Sequence, residues 1–196
     1  MATTKFDICS RALVMIGANR ISSFDDGTTE SKVANDIYQD ILESDLTITR
    51  WRFASKQEQL NYDATAPTHS WDSRYPFPSD CLYVHGVYIN EIPIVYDVYE
   101  GYIMADTTSS DTVYIDFTYA PDENTFPPYF RLALEYHLAS EFSASITRNA
   151  GIMKMYEDKF RQQVIRSKNL DSSQQTTRKI RLDRFRKFRG SLQNTN

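Results

Sequence analysis

The chain has 196 residues, 41% of them apolar, with 22 Lys and Arg against 26 Asp and Glu, which fits one globular domain or two small ones. The net charge of −4 excludes a globally basic nucleic-acid binder, although it permits a local basic patch. Two cysteines far apart indicate neither a disulfide framework nor a zinc site. The 13 Tyr and 11 Phe are the unusual feature, and because Tyr is favoured at interfaces they point to a surface that contacts other proteins.

Helical spacing dominates the first fifty residues. Apolar side chains recur three and four positions apart over residues 3–17 and again over about 29–49, which predicts two amphipathic helices. Between Ser22 and Asp45 there are seven carboxylates and one basic residue, Lys32. We therefore expect the second helix to expose a strongly negative face.

The apolar period drops to two between Gln57 and Tyr119, where prolines and short polar turns also appear. Asn90-Glu91 and Glu100-Gly101 are predicted to be two-residue turns. The pattern predicts a small antiparallel meander with strands over residues 57–62, 82–89, 92–99, 102–104 and 113–119. Eight of the 13 tyrosines lie between Tyr75 and Tyr119.

Two more helical patterns follow the strands, one opened by Pro127-Pro128 and one that reaches about Ser167. A helical hairpin alone cannot bury its own apolar stripe. We therefore expect an α+β fold, with an antiparallel four-helix bundle, an inserted small antiparallel β-sheet subdomain and an extended C-terminal tail. The predicted division assigns residues 1–54 and 121–168 to the helical bundle, 55–120 to the β subdomain, and 169–196 to a flexible linker and basic tail.

The charge is divided unevenly, because residues 178–189 have a net charge of +6 and the rest of the chain has −10. Three interpretations of this segment are open: a solvated terminus without function, a nucleic-acid arm, and a peptide that docks on an acidic partner. Its apolar side chains favour docking, since an arm that binds phosphates alone does not need them. They are Ile180, Leu182, Phe185 and Phe188.

The sequence contains no nucleophile elbow, phosphate-binding loop, dinucleotide-binding turn or zinc-protease helix motif. The three histidines, at 69, 85 and 137, fall in separate predicted elements, and we interpret them as ordinary polar groups. Asp25 and Asp26 could form an acid/base pair, but adjacent carboxylates before a helix more often stabilise its N-terminus. We therefore expect no catalytic site, no cofactor and no metal.

Five short segments resemble the tail tubular protein A family of short-tailed bacteriophages. They are ICSRALVMIG at 8–17, ISSF at 21–24, RWRFA at 50–54, YPFPSDCL at 75–82, and PPYF at 127–130, which opens a helix that contains Ala139 and Phe142. Their order and spacing carry the resemblance, which covers about residues 5–165. The basic segment lies beyond it.

The resemblance implies a structural head-to-tail adaptor without enzymatic activity, located in the virion tail and assembled in the host cytoplasm. Such proteins form a dodecameric ring beneath the portal. Their helical part faces the portal protein, and their β part contacts the tail nozzle protein or tail fibres. DNA passes through the lumen without specific binding, and no membrane is involved. The alternative is a nucleic-acid-binding accessory protein that uses the basic C-terminal arm.

Under this hypothesis three groups of residues have roles. The residues expected to face the nozzle are Tyr88, Asn90, Tyr96, Tyr99 and Tyr102. An acidic channel wall, past which DNA slides without pausing, is expected at Asp25, Asp26 and Glu30. The residues expected to dock on the portal are Arg178, Lys179, Ile180, Arg181, Leu182, Arg184, Phe185, Arg186, Lys187, Phe188 and Arg189.

Overall fold

The computed structural model describes residues 3–67 and 70–174, and within these ranges it contains four α-helices and two antiparallel sheets with seven strands. The helices are α1 (Lys5–Met15), α2 (Thr29–Thr47), α3 (Pro128–Phe142) and α4 (Ala150–Ser173). The strands are β1 (Ser55–Gln59), β2 (Ser73–Pro76), β3 (Cys81–Ile89), β4 (Ile92–Pro93), β5 (Tyr96–Tyr99), β6 (Tyr102–Ala105) and β7 (Val113–Tyr119). The α+β class and the order of the helices and strands agree with the expectation.

The first two helices begin at threonine caps. Thr4 and Asp7 form a capping box, in which the Thr4 hydroxyl accepts from the Asp7 amide and the Asp7 carboxylate accepts from the Thr4 amide. Thr28 caps α2 by accepting from the amide of Ser31 at 3.1 Å. These caps satisfy amides that the helices themselves leave without partners.

The predicted antiparallel four-helix bundle is wrong. Helices α1, α2 and α4 each pack on α3, whereas α1 and α2 touch each other only slightly, and much of the remaining packing is strand against strand. The lengths do not match either: α1 has 11 residues and α4 has 24, about 16 Å and 36 Å along their axes. The segment between α2 and β1 also packs against α3, since Trp51 is buried there with its ring 5.3 Å from that of Phe130.

The strands form two sheets where one meander was expected. The first sheet has the order β1-β7-β3-β4 and the second has the order β2-β6-β5. Strand β1 pairs with β7, with Ser55 opposite Thr118, so one edge strand of the first sheet is held by a contact between distant parts of the chain. The predicted strand over residues 92–99 is divided, because β4 joins one sheet and β5 the other. Strand β2 was not predicted, since Pro76 and the following Pro78 resembled a turn.

The apolar residues form two separate clusters. The larger one joins α1, α2, α3 and α4 around Trp51, Phe130 and Phe142. The smaller one belongs to the sheets, and its buried members are Leu60, Tyr75, Val87, Ile103, Val113, Ile115 and Phe117. The chain therefore buries one core among helices and another between strands.

Helix α4 continues to Ser173, beyond the predicted end near Ser167, so the prediction of a flexible linker from residue 169 is wrong for residues 169–173. Tertiary contacts hold this last part in place. The Ser167 hydroxyl donates to the Tyr129 carbonyl at 2.9 Å, and the Asp171 carboxylate accepts from the Tyr129 hydroxyl at 2.7 Å and from the Arg52 amide at 2.9 Å. These hydrogen bonds attach the last turns of α4 to the rest of the fold, although the apolar pattern of this segment is weak.

Candidate interaction surface

Strands β3 to β6 form two hairpins with tight turns. Asn90 and Glu91 both have positive φ, at 50° and 65°, and so do Glu100 and Gly101, at 52° and 79°. Two successive positive φ values are typical of the turn that matches the twist of a two-residue hairpin. Both predicted turns are therefore confirmed, and they fix which residues β4 and β5 present outward.

The segment from β4 to β5 exposes large apolar side chains. The exposed fraction is 65% for Ile92, 78% for Val95, 48% for Val98 and 43% for Tyr99. We call these four residues the hairpin surface, in which Val98 and Tyr99, as neighbours on β5, point to opposite faces of the strand. Scattered exposed apolar residues are normal, but four within eight positions are a concentration typical of a contact site.

The structure divides the residues that were expected to face the nozzle among three depressions. Tyr88 and Asn90, at the end of β3, line one together with Arg50 and Tyr114. Tyr96, on β5, lines a second, and Tyr99, on the other face of the same strand, lines a third. Tyr102 is half-buried, and the guanidinium of Arg74 lies 4.5 Å from the centre of its ring. The five predicted residues are thus near one another without forming one continuous surface.

The second depression is a groove of about 510 Å³, which we call the edge groove. Its walls are Phe77, Cys81, Leu82, Tyr83, Val84, Tyr96 and Val98. Burial raises the pKa of Tyr96, and the nearby Tyr83 and Tyr88 raise it further. Burial also raises the pKa of the Cys81 thiol to about 11, so this thiol is protonated at neutral pH. The sequence analysis did not identify the groove, because it forms between strands of two different sheets.

From Tyr75 to Phe130 the chain carries charge of only one sign. No Lys or Arg occurs between Arg74 and Arg131, whereas nine Asp and Glu lie in that interval. This count was visible in the sequence and could have been used to locate the most acidic surface there. Exposed carboxylates of this group include Glu91, Asp97 and Glu100, which flank the hairpin surface.

The three residues of the predicted acidic channel lie close together before and within the first turn of α2. Asp26 holds the loop: its two carboxylate oxygens accept from the amide and hydroxyl of Ser22 and from the amide and hydroxyl of Thr28. The hydrogen bonds from Thr28 and Ser22 lower the pKa of Asp26 well below its usual value. Asp25 is exposed, and Glu30 is half-buried in the first turn. Asp26 therefore has a structural role in the loop.

The acidic face expected on α2 is only partly exposed. Asp36 and Asp40 face solvent, but Asp45 is 2% exposed and faces inward. One Asp45 carboxylate oxygen lies 2.8 Å from Nδ1 of His137 on α3, and the ring of His137 is stacked on that of Phe160 with 4.2 Å between ring centres. Asp45 was expected to be a surface charge, because helical spacing alone did not reveal that His137 is its partner.

The Asp45–His137 pair changes the acidity of both groups. Burial raises the pKa of Asp45, and the hydrogen bond and charge of His137 oppose that rise. Burial alone would lower the pKa of His137, but the hydrogen bond and charge of Asp45, with the charges of Glu141 and Glu157, outweigh it and raise the pKa. The backbone also joins this contact, since the Trp51 indole donates to the Asp45 carbonyl at 2.9 Å. The pair ties α2 to α3 and to the segment after α2.

A second ion pair joins the helical part to the first sheet. Arg50 pairs with Asp116 of β7, whose side chain is 3% exposed, and Gln57 donates to the same carboxylate oxygen at 3.1 Å. With Arg52 bonded through its amide to Asp171, the segment 50–54 contacts both α4 and β7. This segment was singled out for its resemblance, and in the structure it connects the two cores.

The predicted portal-docking segment, 178–189, and residues 175–177 of the predicted linker lie outside the described residues, as does His69. His85 and His137 are in different places: His85 contacts Thr118 at 2.8 Å, and His137 contacts Asp45. In the ranges 3–67 and 70–174 no three His, Cys, Asp or Glu side chains are placed to share a metal ion. Over the same ranges, no helix has both the length and the apolar character needed to cross a lipid bilayer.

Comparison with protein-family models finds no match to this chain. Comparison with curated protein sequences likewise finds no significant match. The function is therefore argued from the surface and the charge distribution described above, together with the resemblance of the five sequence segments.

Proposed function

We propose that this protein is a structural head-to-tail adaptor of a short-tailed bacteriophage, without enzymatic activity, which assembles as a ring between the portal and the tail nozzle in the virion. In this proposal the helical part faces the portal, the β part faces the nozzle or fibres, and DNA passes through the ring without specific binding. The alternative function, a nucleic-acid-binding accessory protein, depends on the basic segment 178–189.

The observation that carries the proposal is the exposed hairpin surface. Ile92, Val95 and Val98 are apolar and largely exposed, and Tyr residues lie beside them. Tyr presents a large contact area for a small loss of side-chain freedom, so it suits a surface that is covered in an assembly. A subunit that stayed alone would have no physical need to expose so much apolar side chain within one short segment.

The charge distribution also supports an adaptor. Outside residues 178–189 the chain has a net charge of −10, and Asp36 and Asp40 add exposed carboxylates to those at the start of α2. A negative wall repels the DNA backbone and therefore does not hold a moving duplex. A protein whose main role was to bind nucleic acid would carry the opposite charge on its folded part.

The hairpin surface can be tested with Val95→Asp, which places a charge on a side chain that is 78% exposed. Ile165→Asp is the matched control, because Ile165 is also exposed, at 62%, but lies on α4. We expect V95D to assemble on portal rings as the wild type does but to lose attachment of the nozzle protein, while I165D keeps both. Electron microscopy of the assembled particles reads both steps, and equal nozzle attachment by all three proteins would contradict the assignment of this surface.

A further inference from the structure

The edge groove runs along the side of strand β3. Four successive residues, 81–84, line it, although successive side chains of a strand point to opposite faces of the sheet. Because four consecutive residues line the groove, β3 borders it with its edge and not with one of its faces. Tyr96 and Val98 of β5 form the opposite wall.

Strand β3 has backbone groups without a strand partner along the groove, as far as the described part of the chain shows, whereas β5 turns towards the groove the face that carries Tyr96 and Val98. Strand β4 pairs only with Tyr88 and Ile89 of β3, which leaves the edge of β3 from Cys81 to Gly86 without a neighbouring strand among residues 3–67 and 70–174. Strand β5 is the last strand of its sheet in the same residues. Unpaired strand edges bind extended peptide segments through main-chain hydrogen bonds.

The surroundings of the groove define the charge of its occupant. Asp80 immediately precedes β3, whereas Asp97, which lies between the two groove residues of β5, is on the other face of that strand beside Trp71 and Met104. Lys56 pairs with Asp80, but no Lys or Arg lies between Arg74 and Arg131. The groove itself is apolar, with Tyr83 56% and Val98 48% exposed. A fitting occupant is therefore extended, apolar on one side and positively charged overall.

The chain itself contains such a segment. Residues 179–183 read Lys-Ile-Arg-Leu-Asp, so apolar and charged side chains alternate with the period of a strand, and the wider segment 178–189 has a net charge of +6. Ile180 and Leu182 share one side of this pattern. The sequence analysis found the apolar side chains but left their partner open.

The segment also has the length to reach the groove. Ser172 of α4 and Ser55 of β1 line the same depression, so α4 ends beside the start of β1. Ser55 is opposite Thr118, and Thr118 is opposite Tyr83, which places the groove two strand spacings, about 10 Å, from that point. Ile180 is six positions beyond Gln174 in the sequence, and six extended steps of the chain span about 20 Å.

We propose that residues 179–183 dock in the edge groove between β3 and β5, with Ile180 and Leu182 against its apolar walls. The proposal concerns the free protein and does not rest on the proposed adaptor function. Docking in the groove would also compete with the predicted docking of 178–189 on the portal, because the same residues cannot bind the groove and a portal at the same time.

The native thiol of Cys81 in the groove provides the test. In the full-length Leu182→Cys variant, treatment with diamide, which takes up the two electrons and two protons of the thiols, should link the introduced thiol to Cys81. Cys9 is fully buried and does not compete. Peptide mass mapping identifies the bond, and gel mobility shows whether it joins one chain or two copies; either result supports docking of this segment in this groove.

Three controls make the test decisive. Arg181→Cys places the thiol on the opposite side of the alternating pattern and should form several-fold less of the same disulfide. Asn194→Cys places it near the chain end and measures random encounter. High salt should reduce the yield of the L182C disulfide several-fold, because it screens the attraction between the basic segment and the acidic β part. Equal yields from positions 181, 182 and 194 would overturn the proposal, and a yield unchanged by salt would overturn its electrostatic part.

Discussion

Replacing His137 by Leu should strongly destabilise the protein. The substitution keeps a side chain of similar bulk on α3 but leaves the Asp45 carboxylate, 2% exposed, without the ring nitrogen that now lies 2.8 Å away. Removing one partner of a buried ion pair costs about 3–5 kcal/mol, because the other charge remains buried without compensation. Loss of the stacking contact with Phe160 adds about 0.5–1.5 kcal/mol.

We expect H137L to lower the free energy of unfolding by about 3 kcal/mol, the lower end of the range for a buried ion pair. The reason is that the His137 side chain is 23% exposed, so water weakens the interaction. For a chain of this size, about 3 kcal/mol corresponds to a fall in Tm of roughly 6–12 °C. Urea unfolding followed by circular dichroism measures the free energy of unfolding. The double variant with Leu at both 45 and 137 should recover most of the loss, since an apolar pair of similar volume often replaces a buried ion pair without cost.

The pH dependence provides a separate check. The folded protein raises the pKa of His137 above its usual 6.5, so the stabilisation from its charge is complete below that pH and is lost as pH rises through the folded value. The difference in unfolding free energy between wild type and H137L should therefore shrink as pH rises above neutrality. An H137L loss below about 1 kcal/mol, or a double variant no more stable than H137L, would refute the argument for a buried pair.

Other contacts give three further predictions. Arg50→Ala leaves the buried Asp116 with Gln57 alone and should cost about 1–3 kcal/mol in urea unfolding, whereas Arg50→Lys should lose less; equal losses would show that charge at position 50 is unimportant. Asp26→Asn should lower the free energy of unfolding at neutral pH, and the variant should lose less stability than the wild type when the pH is lowered. The reason is that the folded protein lowers the pKa of Asp26, so the contribution of this carboxylate disappears as pH falls. Tyr129→Phe should cost about 1–2 kcal/mol and speed amide exchange in the last turns of α4, where its hydroxyl now donates to Asp171; unchanged exchange would contradict that role.

Local features of the fold were predictable from the sequence. The two hairpin turns followed from short polar pairs between strand patterns, and Asn, Glu and Gly at these places adopt the positive φ that the turns require. The starts of α1 and α2 followed from the onset of helical apolar spacing near residues 3 and 29, and the start of α3 followed from Pro127-Pro128. These features depend on residues close in sequence, so their physical cause lies within a short window.

The arrangement of those elements was not predictable in the same way. Pairing of β1 with β7 joins residues 55 and 118, and no local pattern specifies that contact. The bundle prediction failed because it assumed that helices bury their stripes on each other, whereas Trp51 and its neighbours supply much of the apolar surface around α3. Asp45 was counted as exposed because its partner is 92 positions away, and the same separation hid the Arg50–Asp116 pair.

Part of the candidate site was predictable. The tyrosine-rich strands and their turns were identified, and the nine carboxylates without a basic residue were visible in the sequence. The edge groove was not, since Cys81 to Val84 and Tyr96 to Val98 come together only because β3 and β5 belong to neighbouring sheets. A period of two identifies strands, but it does not tell which edges remain open.

Assembly on a portal is the measurement that tests the central claim most directly. The full-length protein should be mixed with purified portal rings of a short-tailed phage, with and without duplex DNA, and examined by electron microscopy and light scattering. The adaptor proposal predicts closed rings of this protein on the portal and no shift of DNA by its folded part. Absence of any complex with the portal, together with salt-dependent binding of the protein to duplex DNA, would contradict it and favour the nucleic-acid-binding alternative.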